Sequence, residues 1–122
     1  MTDVDDHLCF GMFHFHEARN CIQLLKERKI EYRDLAVLFA LMSLCDEKNC
    51  ILRFSVKDLA AEMNMNKTSL SNSLKRLKAN LLIASGIKGC GDKYYLINPY
   101  LFSVGRKQKW GHLVKLFTEA VN

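Results

Sequence analysis

Between residues 55 and 79 the apolar positions recur at helical spacing twice, with a polar break between the two runs. Val56, Leu59, Ala60 and Met63 form one inward stripe, and Leu70, Leu74 and Leu77 form a second. Ser55 stands where a side-chain oxygen can accept an orphaned first-turn N–H, so it is the expected cap of the first helix. Asn64-Met65-Asn66 then interrupts the pattern. Asn tolerates the left-handed backbone that ends a helix and also caps the next one, so two Asn around one Met predict a tight inter-helix turn. The second helix is expected over residues 67–79. Its inward Leu residues leave Lys67, Thr68, Ser69, Ser71, Asn72, Lys75 and Arg76 facing solvent, a face that is short-chained, polar and cationic.

The flanking segments follow their own periods. Residues 8–16, LCFGMFHFH, alternate strand-like, with Phe13 and Phe15 on one face and His14 and His16 on the other. Residues 17–29 have helical spacing in Ala18, Cys21, Ile22 and Leu25, ended by the charged run at 26–29. Residues 32–44 are apolar nearly all round, which predicts a helix buried on several sides or used in a dimer. After a polar turn at 46–49, residues 50–54 read as a short strand leading into the two-helix unit. Beyond that unit, residues 81–85 and 93–97 flank the glycine-rich GIKGCGD and predict a hairpin, ended by Asn98-Pro99. Residues 105–121 carry a last amphipathic stripe of Trp110, Leu113, Val114, Phe117 and Val121.

Charge sharpens this picture. Residues 1–66 hold eight Lys/Arg against eleven Asp/Glu, a balance of −3, whereas residues 67–122 hold ten against two, +8, which together give the chain's +5. The basic half begins at the second helix of the unit. A cationic face on a helix-turn-helix points to a polyanion, since each neutralised phosphate releases condensed counterions. Ser, Thr and Asn present donors and acceptors to base edges in a major groove, while Lys and Arg meet phosphates. The 122 residues are expected to form a single domain with one core. No apolar run reaches the roughly 20 residues of a membrane span, and the acidic start MTDVDDH lacks the basic region of a signal peptide, so a cytoplasmic location is expected.

Two segments carry a family resemblance. The wing strand KYYLINPYLF and the following VGRKQKWGHLVKLF are similar to the "Y-x-I-N-P-x-x-F … G … W … F" ending of plasmid replication proteins of the RepL type. The order helix, strand, helix-turn-helix, hairpin resembles bacterial and phage winged-helix proteins at large, and the likeness covers residues 35–117. It implies that residues 67–76 enter the DNA groove, that Lys88 and Lys93 bring the wing to the backbone, and that Tyr94, Ile97, Asn98 and Pro99 shape the wing base. One departure stands out. Where such domains place a Gly before the "L-I" pair, this chain has Leu81, so Asn80 is expected to take the left-handed backbone one position earlier. The short, weakly basic wing turn argues against strong wing contacts.

The expected fold is thus α+β: a small winged helix-turn-helix domain (helix-turn-helix 55–80, wing 81–98, C-terminal helix 105–121) with an added N-terminal strand and helix. The expected partner is double-stranded DNA, with Thr68, Ser69, Ser71 and Asn72 near bases and Lys67, Lys75, Arg76, Lys88 and Lys93 on phosphates. By resemblance the role is plasmid or phage replication initiation or its control. A transcriptional regulator would use the same contacts, and a winged-helix module that binds an acidic protein would use the same face. Two large apolar helical faces, 32–44 and 105–121, suggest a homodimer that pairs two recognition helices about one DNA turn apart.

Other chemistry finds less support. His7, Cys9, His14 and His16 form the one metal-like cluster, but positions 7 and 9 face away from 14 and 16 on a continuous strand, and the spacing matches no zinc signature. No metal or cofactor is expected. The five cysteines, Cys9, Cys21, Cys45, Cys50 and Cys90, are odd in number and contain no CxxC, as expected of reduced structural thiols. GIKGCGD lacks the Lys-Ser/Thr of a phosphate-binding loop, and a Cys90 nucleophile has no His nearby in sequence, so no enzymatic activity is expected.

Overall fold

The computed structural model describes residues 11–13, 15–46, 48–51, 55–87, 93–104 and 110–121. Their elements run β1 (Gly11–Phe13), α1 (Phe15–Lys26), α2 (Tyr32–Leu44), β2 (Cys50–Ile51), α3 (Val56–Glu62), α4 (Lys67–Ala79), β3 (Ile83–Ile87), β4 (Lys93–Ile97), β5 (Phe102–Val104) and α5 (Trp110–Val121). The strands β2, β4 and β3 form an antiparallel sheet in that order, and β1 pairs with β5 in a second, two-stranded sheet. The protein is therefore α+β. The sequence α2, β2, α3, α4, β3, β4 with a β2-β4-β3 sheet is compatible with the winged-helix class.

Period-two alternation divides the three-stranded sheet between two layers. Ile51, Tyr95, Ile97 and Ile83 face the main core, where they meet Leu41 of α2, Leu59 of α3 and Leu70, Leu74 and Leu77 of α4. The neighbouring positions Leu96 and Ala84 face the other way and bury Phe117 of α5 beneath Cys50 and Tyr94. The register pairs Ile83 with Ile97 and Ala84 with Leu96, so each layer receives its own rows of side chains. The α5 stripe is consequently used inside the chain, which removes one of the two faces that suggested a dimer. Val121, assigned to that stripe by spacing, is 42% exposed.

A joint at Asn98 ties the end of α4 to the sheet. The Asn98 N–H donates to Leu82 O at 3.0 Å and its Nδ2 donates to Leu81 O at 2.8 Å. Its Oδ1 accepts the Tyr100 N–H at 2.8 Å, closing a turn over the buried Pro99. Trp110 Nε1 donates to Pro99 O at 3.1 Å and its ring meets Tyr100 edge-on, centroids 5.0 Å apart, which anchors the start of α5. The N-P-x-x-F and W positions of the sequence motif thus form one structural joint at the base of the β3–β4 hairpin.

Several boundaries differ from the sequence reading. The alternation at 8–16 was expected to make one strand, but β1 is confined to Gly11–Phe13 among the described residues and α1 already begins at Phe15. Phe15 and His16 are therefore helical, and the two-face argument for the histidines does not apply to them. The helix expected to reach Lys29 ends at Lys26, because Arg28 takes a left-handed φ of 59°. The bonds Arg28 N to Leu25 O and Lys29 N to Leu24 O then close the helix end.

The same closure recurs twice in the helix-turn-helix. Asn64, φ 54°, ends α3 as expected, with Asn64 N bonded to Ala61 O and Met65 N to Ala60 O. At the end of α4 the expectation fails. Leu81, not Asn80, is left-handed at φ 59°, with Leu81 N bonded to Lys78 O and Leu82 N to Leu77 O. Asn80 remains at φ −99° because its side chain is used elsewhere, Nδ2 donating to Arg76 O at 2.8 Å and to Lys29 O at 3.3 Å. No one-residue shift occurs.

Candidate nucleic-acid interface

Capping fixes where α3 and α4 begin. Ser55 Oγ accepts the Asp58 N–H at 3.2 Å, and Asn66 Oδ1 accepts the Ser69 N–H at 2.7 Å, each satisfying a first-turn donor. With Asn64 turning the chain between them, α4 is held by a buried stripe of Leu70, Ser73, Leu74 and Leu77.

Opposite that stripe lie Thr68, Asn72, Lys75 and Ala79, at spacings of four, three and four residues, all exposed. Lys67, Ser71 and Lys78 line one flank of this row. Lys67 and Lys78 are exposed and Ser71 is half-buried. Ser69 and Arg76 lie on the other flank, both half-buried. The helix carries four cations, Lys67, Lys75, Arg76 and Lys78, and no carboxylate. Lys78, absent from the sequence expectation, lies on the Lys67 flank, next to Lys75 and three residues after it.

Arg76 differs from the other three cations. Its Nε donates to Asp34 Oδ2 at 2.7 Å and its Nη2 to Asp34 Oδ1 at 2.9 Å, a two-pronged pair. Nη2 also reaches Glu31 Oε2 at 3.3 Å. The guanidinium expected on a phosphate is thus engaged with the start of α2. Asp34 is wholly buried and also accepts the Glu31 N–H at 2.9 Å. Burial pushes the Asp34 carboxyl up, but the Arg76 hydrogen bonds, the Glu31 N–H, Ser73 and the Arg76 charge outweigh it and hold it below the usual carboxylate value. The same hydrogen bonds raise Arg76 further above its ordinary value. The signal that was available is a lone carboxylate inside an otherwise apolar helical run.

The remaining expected positions are only partly within view. Lys93 opens β4, paired with Ile87, while Lys88 and Cys90 lie outside the described residues, as do His7, Cys9 and His14. Tyr94 lies on the α5 side of the sheet, its ring over Gly86, where a Cβ would collide with it. Cys21, Cys45 and Cys50 are thiols, the first buried and the others half-buried. Among the described residues no group of three His, Cys, Asp or Glu is placed to hold a metal ion, and no helix is long and apolar enough to cross a membrane.

Comparison with protein-family models, with curated proteins and with solved structures finds no match to this chain.

Proposed function

We propose that the protein binds double-stranded DNA through the outer face of α4, as a winged helix-turn-helix protein. The observation that carries this reading is the exposed row Thr68, Asn72 and Lys75 on an N-capped helix that bears no carboxylate, flanked by Lys67, Ser71 and Lys78. Hydroxyl and amide side chains at the centre suit base edges, and Lys75 among them with Lys67 and Lys78 along one flank suits phosphates at the edge of a groove. Ser69 is a secondary candidate because it is half-buried on the Arg76 flank. Lys88 and Lys93 on the hairpin are proposed to approach the backbone beside the groove.

The biological role proposed is initiation or control of plasmid or phage replication, on the strength of the resemblance of residues 93–102 and 104–117 to the RepL-type ending. Two experiments separate the layers of this reading. Selection from a randomised duplex pool should yield a preferred site, and Asn72→Ala should weaken binding to it by about 1 to 3 kcal/mol while sparing random duplex. Equal losses on both would remove Asn72 from base recognition. Maintenance of a plasmid bearing the selected site should then depend on the protein; specific binding without that dependence would favour transcriptional control.

A further inference from the structure

The apolar stripe of α4 sets which face lies against the core, but burial of Leu side chains is non-directional and leaves the finer rotation of the helix to directional contacts. Rotation decides which side chains meet a groove. Arg76 follows Asn72 by four residues, so a turn of α4 about its axis would move the short Asn72 side chain off a base edge, while the long, flexible lysine stems still reach phosphates. The guanidinium does not turn freely. Its Nε and Nη2 are gripped by the two oxygens of Asp34, at 2.7 and 2.9 Å, and its outer edge by Glu31. Asp34 is itself immobilised, buried at the first turn of α2 with the Glu31 N–H on Oδ2. A planar fork with two bonds to a fixed carboxylate sets both rotation and height.

We propose that the Asp34–Arg76 pair is the positioning element that sets the rotation of α4, so that it governs DNA selectivity without contacting DNA. The proposal rests on the duplex-binding reading of α4. Arg76 and Asp34 are positioning residues, and the phosphate contacts of the helix fall to Lys67, Lys75 and Lys78. Losing the fork therefore degrades the choice between sequences more than it degrades attraction to the backbone.

The test compares Arg76→Lys, Arg76→Gln, Asp34→Asn and Lys75→Gln in the full chain. Folding is checked by circular dichroism, and affinity is measured on the selected duplex and on random duplex over a salt series. Arg76→Lys keeps a cation beside Asp34 but not the fork, so it remains informative if Asp34→Asn fails to fold. The pair's role predicts that Arg76→Lys lowers the selected-to-random affinity ratio by about tenfold. The slope of log affinity against log salt should stay at the wild-type value in Arg76→Gln, whereas Lys75→Gln should make it shallower by about 0.9. Adding Asp34→Asn to Arg76→Lys should cost no further selectivity, since both remove one interaction.

A slope shallower by about 0.9 in Arg76→Gln would make Arg76 a phosphate contact and overturn the proposal. So would a folded Arg76→Lys protein with full selectivity, which is the result a merely structural pair would give. A wild-type protein that binds no duplex would instead remove the DNA reading itself, and the two failures are told apart by the wild-type measurement alone.

Discussion

Leu81 stands at a position that glycine usually fills, with a branched side chain at φ 59° and 52% exposed. A left-handed backbone costs an L-residue roughly 1 to 2 kcal/mol, and little of that is recovered by a side chain half in water. Leu81→Gly relieves the strain while adding freedom to the unfolded chain, so urea denaturation should show a net gain of about 0.5 kcal/mol. A loss above about 1 kcal/mol would mean that the Leu81 side chain packs more productively than its exposure suggests. Asp34 makes the opposite case, a buried charge held by its partners. Asp34→Asn leaves Arg76 without its counter-charge and should cost about 2 to 4 kcal/mol at neutral pH. Because the carboxyl is held below its ordinary value, the stability it contributes is present above about pH 4 and is lost as pH falls through the lowered folded value. The stability difference between wild type and Asp34→Asn should therefore be flat above about pH 5 and shrink below about pH 4; a difference independent of pH down to about 2 would contradict it.

At the scale of elements, the helix-turn-helix was legible because its signals are local. Ser55, Asn64 and Asn66 act within three or four residues of themselves, through a cap, a left-handed turn and a second cap. Asn66→Ala should accordingly destabilise the protein by about 1 kcal/mol, and Asn66→Ser should restore most of that in the same denaturation assay. Equal losses for both would show that the cap is not what Asn66 supplies. The failures arise where a local preference met a distant partner. Asn80 has the better intrinsic tendency for the left-handed position, yet its amide is bonded to Arg76 O and Lys29 O, leaving Leu81 to make the turn. Arg76 looked like one more solvent cation because its partner lies 42 residues away on α2. The alternation of Phe13, His14, Phe15 and His16 was too short to separate a strand from the start of α1. The pairing of β1 with β5 joins residues about ninety apart, and no single-segment pattern announces it.

Across the whole molecule, Asn49 links the two sheets. It is buried at φ 57°, its Nδ2 donates to Phe102 O at 2.6 Å and Ile97 O at 3.3 Å, and its own carbonyl accepts the Ile97 N–H at 2.9 Å. Asn49→Ala removes the side-chain bonds and strains the backbone, while Asn49→Gly removes the bonds alone. Each should lower stability by about 1 to 3 kcal/mol, with Ala the worse by about 1. Equal effects would mean that backbone strain plays no part. The sheet so anchored, with α5 behind it and α2 to α4 in front, leaves the outer face of α4, with Lys67, Lys75 and Lys78, as the cationic face proposed to meet DNA. The most direct test is fluorescence-anisotropy binding to random duplex across a salt series, for wild type and for Lys67→Gln/Lys75→Gln/Lys78→Gln. A DNA-binding α4 predicts a steep negative slope of log affinity against log salt in the wild type, shallower by about 2.7 in the triple variant if each lysine meets one phosphate. A folded wild-type protein that ignores duplex DNA at low salt, or a triple variant with an unchanged slope, would contradict it.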